Sequence, residues 1–174
     1  MKEIVLVMPL MLVLAMAIWT DLRSGLIPNR LTFSTMGLAV LAHGWMHGFQ
    51  GMIFSLAGLG MGFGLFLLLY LGGGMGAGDV KLMAAIGAII GAYGVLVSGF
   101  LAILVGGIYA VGAMSYRWGF VEMCRKLSRA TYTALLTGGK GWRDELQLPF
   151  QLRYGLAIAA GTLLFCLGFN PFEG

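Results

Sequence analysis

Six apolar stretches constrain this chain more than any other feature. They run over residues 4–20, 31–49, 51–71, 80–93, 95–116 and 149–169. About 20 apolar residues cross a bilayer as a helix, and apolar side chains form 59% of the chain against 10% charged. That balance excludes an ordinary soluble domain and points to a single all-α, polytopic membrane domain over residues 1–174. The fourth stretch is short, and hydropathy alone does not separate one bent hairpin from two spans around Tyr93-Gly94. Six spans are expected because an even count puts the two acidic loops on the same side. Near the N-terminus, Lys2 and Ala15-Met16-Ala17 loosely imitate a cleavable signal. Glu3 offsets Lys2, and cleavage would remove the helix leading to Asp21, so the first span is expected to be retained.

Charge supplies an orientation. Ten of the eleven basic residues fall in loops on one side: Arg23, Arg30, Lys81, Arg117, Arg125, Lys126, Arg129, Lys140, Arg143 and Arg153. Only Lys2 lies opposite. The positive-inside rule places those loops in the cytoplasm and both termini on the outer side. Loop asymmetry accounts for the formal charge of +4 without invoking nucleic acid.

Against this background two aspartates stand out. Asp21 follows the first apolar run, and Asp79 closes Gly76-Ala77-Gly78-Asp79 between two more. An ionisable residue at the edge of a span is costly and marks a functional site by default. The orientation above puts both at the cytoplasmic face. Pro28 breaks the chain after Asp21 and Asn29 is placed to cap the second helix. Glycines around Asp79 let the backbone turn and let a bound peptide approach, while Asp79 itself suits a helix cap. Taken singly, each aspartate is as readily a turn, a cap or a topological charge.

Other features read as structure. Gly58, Gly60, Gly62 and Gly64 alternate through the third span, and Gly87 and Gly91 are four apart in the fourth. Such small residues allow close helix packing. His43 and His47 sit toward the opposite face, with no thiol or carboxylate to complete a metal site. Cys124 and Cys166 have neither disulfide-framework nor zinc spacing. In the cytoplasmic segment 117–148, Trp118, Val121, Cys124, Leu127 and Leu135 fall near helical spacing opposite Arg125, Lys126 and Arg129. Both an interfacial helix on anionic headgroups and a solvated connector fit that pattern.

Asp21 followed by Ile27-Pro28-Asn29-x-Leu31, then Gly76-Ala77-Gly78-Asp79-Val80-Lys81-Leu82, resembles the type IV prepilin peptidases, membrane aspartic proteases of the Gly-x-Gly-Asp class. The stretch from Leu148-Pro149-Phe150 to Tyr154-Gly155-Leu156-Ala157-Ile158-Ala159-Ala160-Gly161 is similar to that family's last span, although Phe150-Gln151-Leu152-Arg153-Tyr154 stretches the spacing of its proline and aromatic pattern. The size resembles the short members serving Flp/Tad-type pili. Larger members add a methyltransferase domain with paired Cys-x-x-Cys motifs, so N-methylation is not expected here.

The resemblance implies removal of a short basic leader from a prepilin at the cytoplasmic face of the inner membrane. Asp21 and Asp79 would be catalytic, Pro28, Asn29, Gly76, Gly78 and Lys81 would support the motifs, and no metal or cofactor is implied. The partners implied are the prepilin or pseudopilin substrate and the lipid bilayer, with no nucleic acid. Two adjacent carboxylates cannot both ionise cheaply and share a proton. One deprotonates a water while the other polarises the scissile carbonyl. Another class, a small proton- or cation-coupled transporter, also uses intramembrane acids, though its acids tend toward the bilayer midplane. A non-enzymatic pilus assembly subunit would not need the aspartates at all.

Overall fold

The structure is a computed structural model. It describes residues 2–71, 75–119, 122, 124–126, 128, 129, 131, 132 and 154–168. Among the described residues the regular structure is entirely helical: α1 (Lys2–Ser24), α2 (Asn29–Leu71), α3 (Ala77–Trp118) and α4 (Tyr154–Cys166). Two compact units divide the chain, one of Met1–Val105 with Arg153–Gly174 and one of Gly106–Leu152.

Two of these helices are broken, and the breaks explain the six apolar stretches. A straight helix of 43 residues would be about twice as long as a bilayer is thick. Gly48 interrupts α2 with φ 62° and ψ −147°, a left-handed conformation that glycine adopts without a Cβ penalty. The chain then folds back. The His43 and Phe54 rings meet at a tilt with centroids 5.1 Å apart, far closer than the roughly 16 Å that eleven residues of straight helix would impose. Gly91, with φ 78° and ψ 177°, breaks α3 in the same way. The Phe54 ring occupies the space that a side chain at Gly91 would take.

The expected boundaries at 31–49/51–71 and 80–93/95–116 therefore fall two or three residues beyond real breaks, at Gly48 and Gly91. The runs expected from residues 4, 31 and 80 begin two or three residues late, because α1, α2 and α3 extend into polar or glycine-containing ends that hydropathy trims away; α4 is described from Tyr154. The α2 helix and residues Ala77–Tyr116 are each long and apolar enough to cross a membrane. Large apolar side chains such as Trp45, Phe49, Leu38 and Leu41 are exposed along the outside, as lipid contact requires.

The break at Gly91 also sets free backbone carbonyls that must be paired inside an apolar bundle. Two polar side chains of α2 reach across to them. Ser55 Oγ donates to Ala88 O at 2.7 Å, and His43 Nε2 donates to Ile89 O at 3.0 Å. His43 is thus a buried carbonyl partner, whereas His47 is exposed. An interfacial place for both histidines does not fit His43, which is enclosed in the bundle.

The core of the first unit is a set of stripes at helical spacing. Leu10, Val13, Leu14 and Ala17 from α1 meet Leu82, Met83 and Ile86 from α3, Phe66 from α2 and Ile158 from α4. Glycine lets these helices close up at alternate members of the α2 series. A Cβ on Gly58 would strike the Gly87 carbonyl, and one on Gly62 the Met83 carbonyl, while Gly60 and Gly64 face open space. The packing period is four residues, not the two that the alternation suggests.

In the second unit, residues 122, 124–126, 128, 129, 131 and 132 are helical, and Arg125 pairs with Glu122 at 3.1 Å on an exposed face. Val121, Leu127, Leu135, Lys140, Arg143 and Pro149 lie outside the described residues, as does Gly72-Gly73-Gly74.

Gly58→Ala should lower the stability of the detergent-solubilised protein by about 1–3 kcal/mol, the usual cost of overpacking. Gly60→Ala should stay within about 0.5 kcal/mol of wild type, as at an open surface position. Thermal unfolding of the two variants side by side measures both, and equal losses would contradict the packing described.

Candidate active site

Both aspartates continue buried stripes. Asp21 lies one helical step beyond Ala17 on the stripe Leu10, Val13, Leu14, Ala17, and Asp79 leads the stripe Leu82, Met83, Ile86. Residues three and four apart share a helix face, so each carboxyl group points into the bundle. Asp21 is 6% exposed and Asp79 8%.

The backbone around each is set locally. At the end of α1, Gly25 takes φ 64° and donates its N–H to Asp21 O at 2.9 Å. This is the left-handed glycine stop of a helix C-terminus, and it holds Asp21 in the final turn. Asp79 is the third residue of α3. Its Oδ2 accepts the Gly76 N–H at 3.1 Å, while its own N–H donates to Gly76 O at 3.1 Å. Asp79 does cap its helix, but from within the first turn, by reaching back to the residue before it. A carboxylate at this end also suits the helix dipole.

Neither Gly76 nor Gly78 has a positive φ. At these two positions the chain therefore does not draw on glycine's left-handed freedom. A Cβ on Gly76 would stand 3.4 Å from Asp79 Oδ2, and one on Gly78 would stand 3.4 Å from Ile27 Cβ. Both are ordinary contact distances, so these glycines keep the surface beside Asp79 low.

The two motifs, some fifty residues apart in the chain, are joined at two points. Ile27 is buried against Gly78. Lys81 Nζ donates to Asn29 Oδ1 at 2.9 Å and lies 5.7 Å from the centre of the Phe33 ring. Pro28, not Asn29, holds the cap position of α2, since its carbonyl receives the N–H groups of Leu31 and Thr32. Asn29 is the first helical residue, which leaves its side chain for Lys81.

Asp21 and Asp79 come close enough for the charge of one to act on the other. The Tyr154 phenol lies within the same range of Asp79. Gly155 packs directly on Asp21: a Cβ there would be 2.6 Å from Asp21 Oδ2. Arg23, over the Trp19 ring at 5.3 Å, Arg30 and Lys81 flank this end of the helices. Tyr154 and Gly155 are expected only as part of the last span, with no place beside the aspartates. The available signal was the helical spacing of the buried residues Gly155, Ile158, Ala159 and Thr162 in α4. Among the described residues no group of three or more histidine, cysteine, aspartate or glutamate side chains is placed to hold a metal.

Such a pair can hold and move a proton at a surface sheltered from bulk water. Comparison with known proteins gives a direction to that chemistry. The model of the type IV leader peptidase family matches residues 8–111, which include both aspartates and the contacts between their loops. No curated protein and no solved structure matches the chain.

The link between the motifs is measurable. A double-mutant cycle of Asn29→Ala and Lys81→Ala, read by thermal unfolding, should return a coupling of about 0.5–1 kcal/mol, the scale of a partly exposed hydrogen bond. Additive effects would mean that the two loops are not joined there.

Proposed function

This chain belongs to the type IV leader peptidase family, and we propose on that basis that it is a membrane aspartic endopeptidase removing the short basic leader of Flp/Tad-type prepilins. Cleavage takes place at the cytoplasmic face of the inner membrane, just ahead of the pilin's hydrophobic helix. Asp21 and Asp79 are the catalytic pair. N-methylation is no part of the proposal.

The observation that carries this reading is the convergence of two buried carboxyl groups from separate helices, α1 and α3, within reach of each other's charge. Like charges at close range disfavour double ionisation, so the pair holds one proton between two carboxyl groups. The ionised member takes a proton from a water lying between them. The resulting hydroxide attacks the scissile carbonyl carbon while the protonated member donates to its oxygen. Collapse of the tetrahedral intermediate breaks the C–N bond: the departing amine takes a proton from one member of the pair, and a hydroxyl of the intermediate returns its proton to the other as the carboxyl product forms. The titration belongs to the dyad as a unit. The low surface at Gly76 and Gly78 suits an extended substrate backbone lying beside Asp79.

Orientation follows from charge. Arg23, Arg30 and Lys81 stand at the same end of the helices as the two aspartates, which favours the cytoplasmic side.

Co-expression with a candidate prepilin tests the chemistry. Asp21→Asn and Asp79→Asn should each slow leader removal by about 10²–10⁴-fold, the range for loss of a general acid or base. Processing at the wild-type rate by either variant, correctly inserted, would refute the dyad. A reporter fused after Gly139 should read as cytoplasmic, and an external signal would overturn the orientation.

A further inference from the structure

The family match ends at residue 111, and α4 lies beyond it. Yet the first turn of α4 borders the candidate dyad, with Gly155 against Asp21 and Tyr154 within range of the charge of Asp79. Gly155 is buried and has ordinary helical backbone, since it is not among the positive-φ glycines. Backbone freedom therefore does not account for glycine at this position. What accounts for it is the neighbour. A Cβ at residue 155 would stand 2.6 Å from Asp21 Oδ2, 3.1 Å from its Cγ and 3.3 Å from its Cβ.

We propose that Gly155 is a positioning residue for the dyad: by presenting bare backbone to Asp21, it sets where that carboxyl group stands relative to Asp79. The proposal rests on the aspartic dyad reading above. Its steric logic is specific. The side chain obstructed by any larger residue at 155 is Asp21 itself, and the carboxyl oxygen is the nearest atom. A methyl group at 155 turns the Asp21 carboxyl away, so the proton-sharing geometry is lost before the helix packing is. Gly161, two turns along the same helix, provides the contrast. A Cβ there would meet backbone, 2.5 Å from Ala102 N and 2.6 Å from Ser98 O, and would disturb packing without touching either aspartate.

The full chain, purified and reconstituted in vesicles, allows the two glycines to be compared. Gly155→Ala should lower kcat for leader cleavage by at least about tenfold, as a small misplacement of a reacting group does, with KM within about twofold of wild type. Labelling of Asp21 by a hydrophobic carbodiimide, followed by mass spectrometry, should rise several-fold in the same variant. Gly161→Ala should instead lower the unfolding midpoint, while its folded fraction keeps the wild-type rate and labelling. Unchanged labelling of Asp21 in Gly155→Ala would overturn the proposal, as would a fall in cleavage that only tracks loss of folded protein.

Should Gly155→Ala fail to fold, the background Asp21→Ala decides. With the carboxyl group gone the clash is gone, so Gly155→Ala should then accumulate as the Asp21→Ala single variant does. Equal failure in both backgrounds contradicts the proposal. If the wild-type chain cleaves no prepilin, the functional reading fails, and the labelling contrast still decides the role of Gly155.

Discussion

Two carboxyl groups kept away from water inside an apolar helical bundle are the constraint around which the first unit is arranged. A buried carboxylate is tolerated only where protein groups take over the work of solvent. For Asp79 that work falls to the Gly76 N–H, at the end of a helix where negative charge is favoured. Asp21 sits at the opposite kind of terminus, in the closing turn of α1, where the helix dipole gives a negative charge no help. Its surroundings come from elsewhere in the fold: the backbone of Gly155 and the neighbouring Asp79. The two groups thus meet from unlike helix ends, and their placement depends on how closely three helices approach.

That approach depends in turn on where the backbone breaks and where it lacks side chains. Gly48 and Gly91 fold α2 and α3 back on themselves, and Gly58, Gly62 and Gly87 bring the arms into backbone contact. The carbonyls released at the second break are taken up by His43 and Ser55. Polar groups in this part of the bundle pair with backbone, and the two carboxyl groups at the aspartate end act on one another through charge. The loops between Asp21 and α2, and between α2 and Asp79, are then tied by Ile27 on Gly78 and Lys81 on Asn29. Those ties hold the first turn of α3 beside the last turn of α1.

Much of this was legible in the chain. Apolar length marked the helices and came within a few residues of their breaks, with boundaries at residue 50 and at Tyr93-Gly94 against breaks at Gly48 and Gly91. The cost of acidic residues at span edges marked Asp21 and Asp79. The less legible part depended on direction in space. Whether Asn29 caps its own helix or reaches another depends on a one-residue offset at Pro28, which local propensity does not resolve. Gly76 and Gly78 read as turn formers because glycine most often signals backbone freedom, whereas here they leave ordinary backbone with an open surface. His43 read as interfacial because hydropathy cannot reveal a carbonyl freed 46 residues away. The part of α4 in the site was hidden because Gly155 has meaning only beside Asp21, a pairing that no local pattern encodes.

The central claim is that Asp21 and Asp79 act as one proton-sharing unit on a single water. The pH dependence of kcat/KM for leader cleavage, measured on the reconstituted full-length enzyme, tests it most directly. A dyad predicts a bell-shaped profile with two limbs, one for each protonation step of the pair. It also predicts that an asparagine at either position removes the bell along with the activity. A profile with a single limb, or a bell that survives Asp21→Asn or Asp79→Asn, would contradict the account.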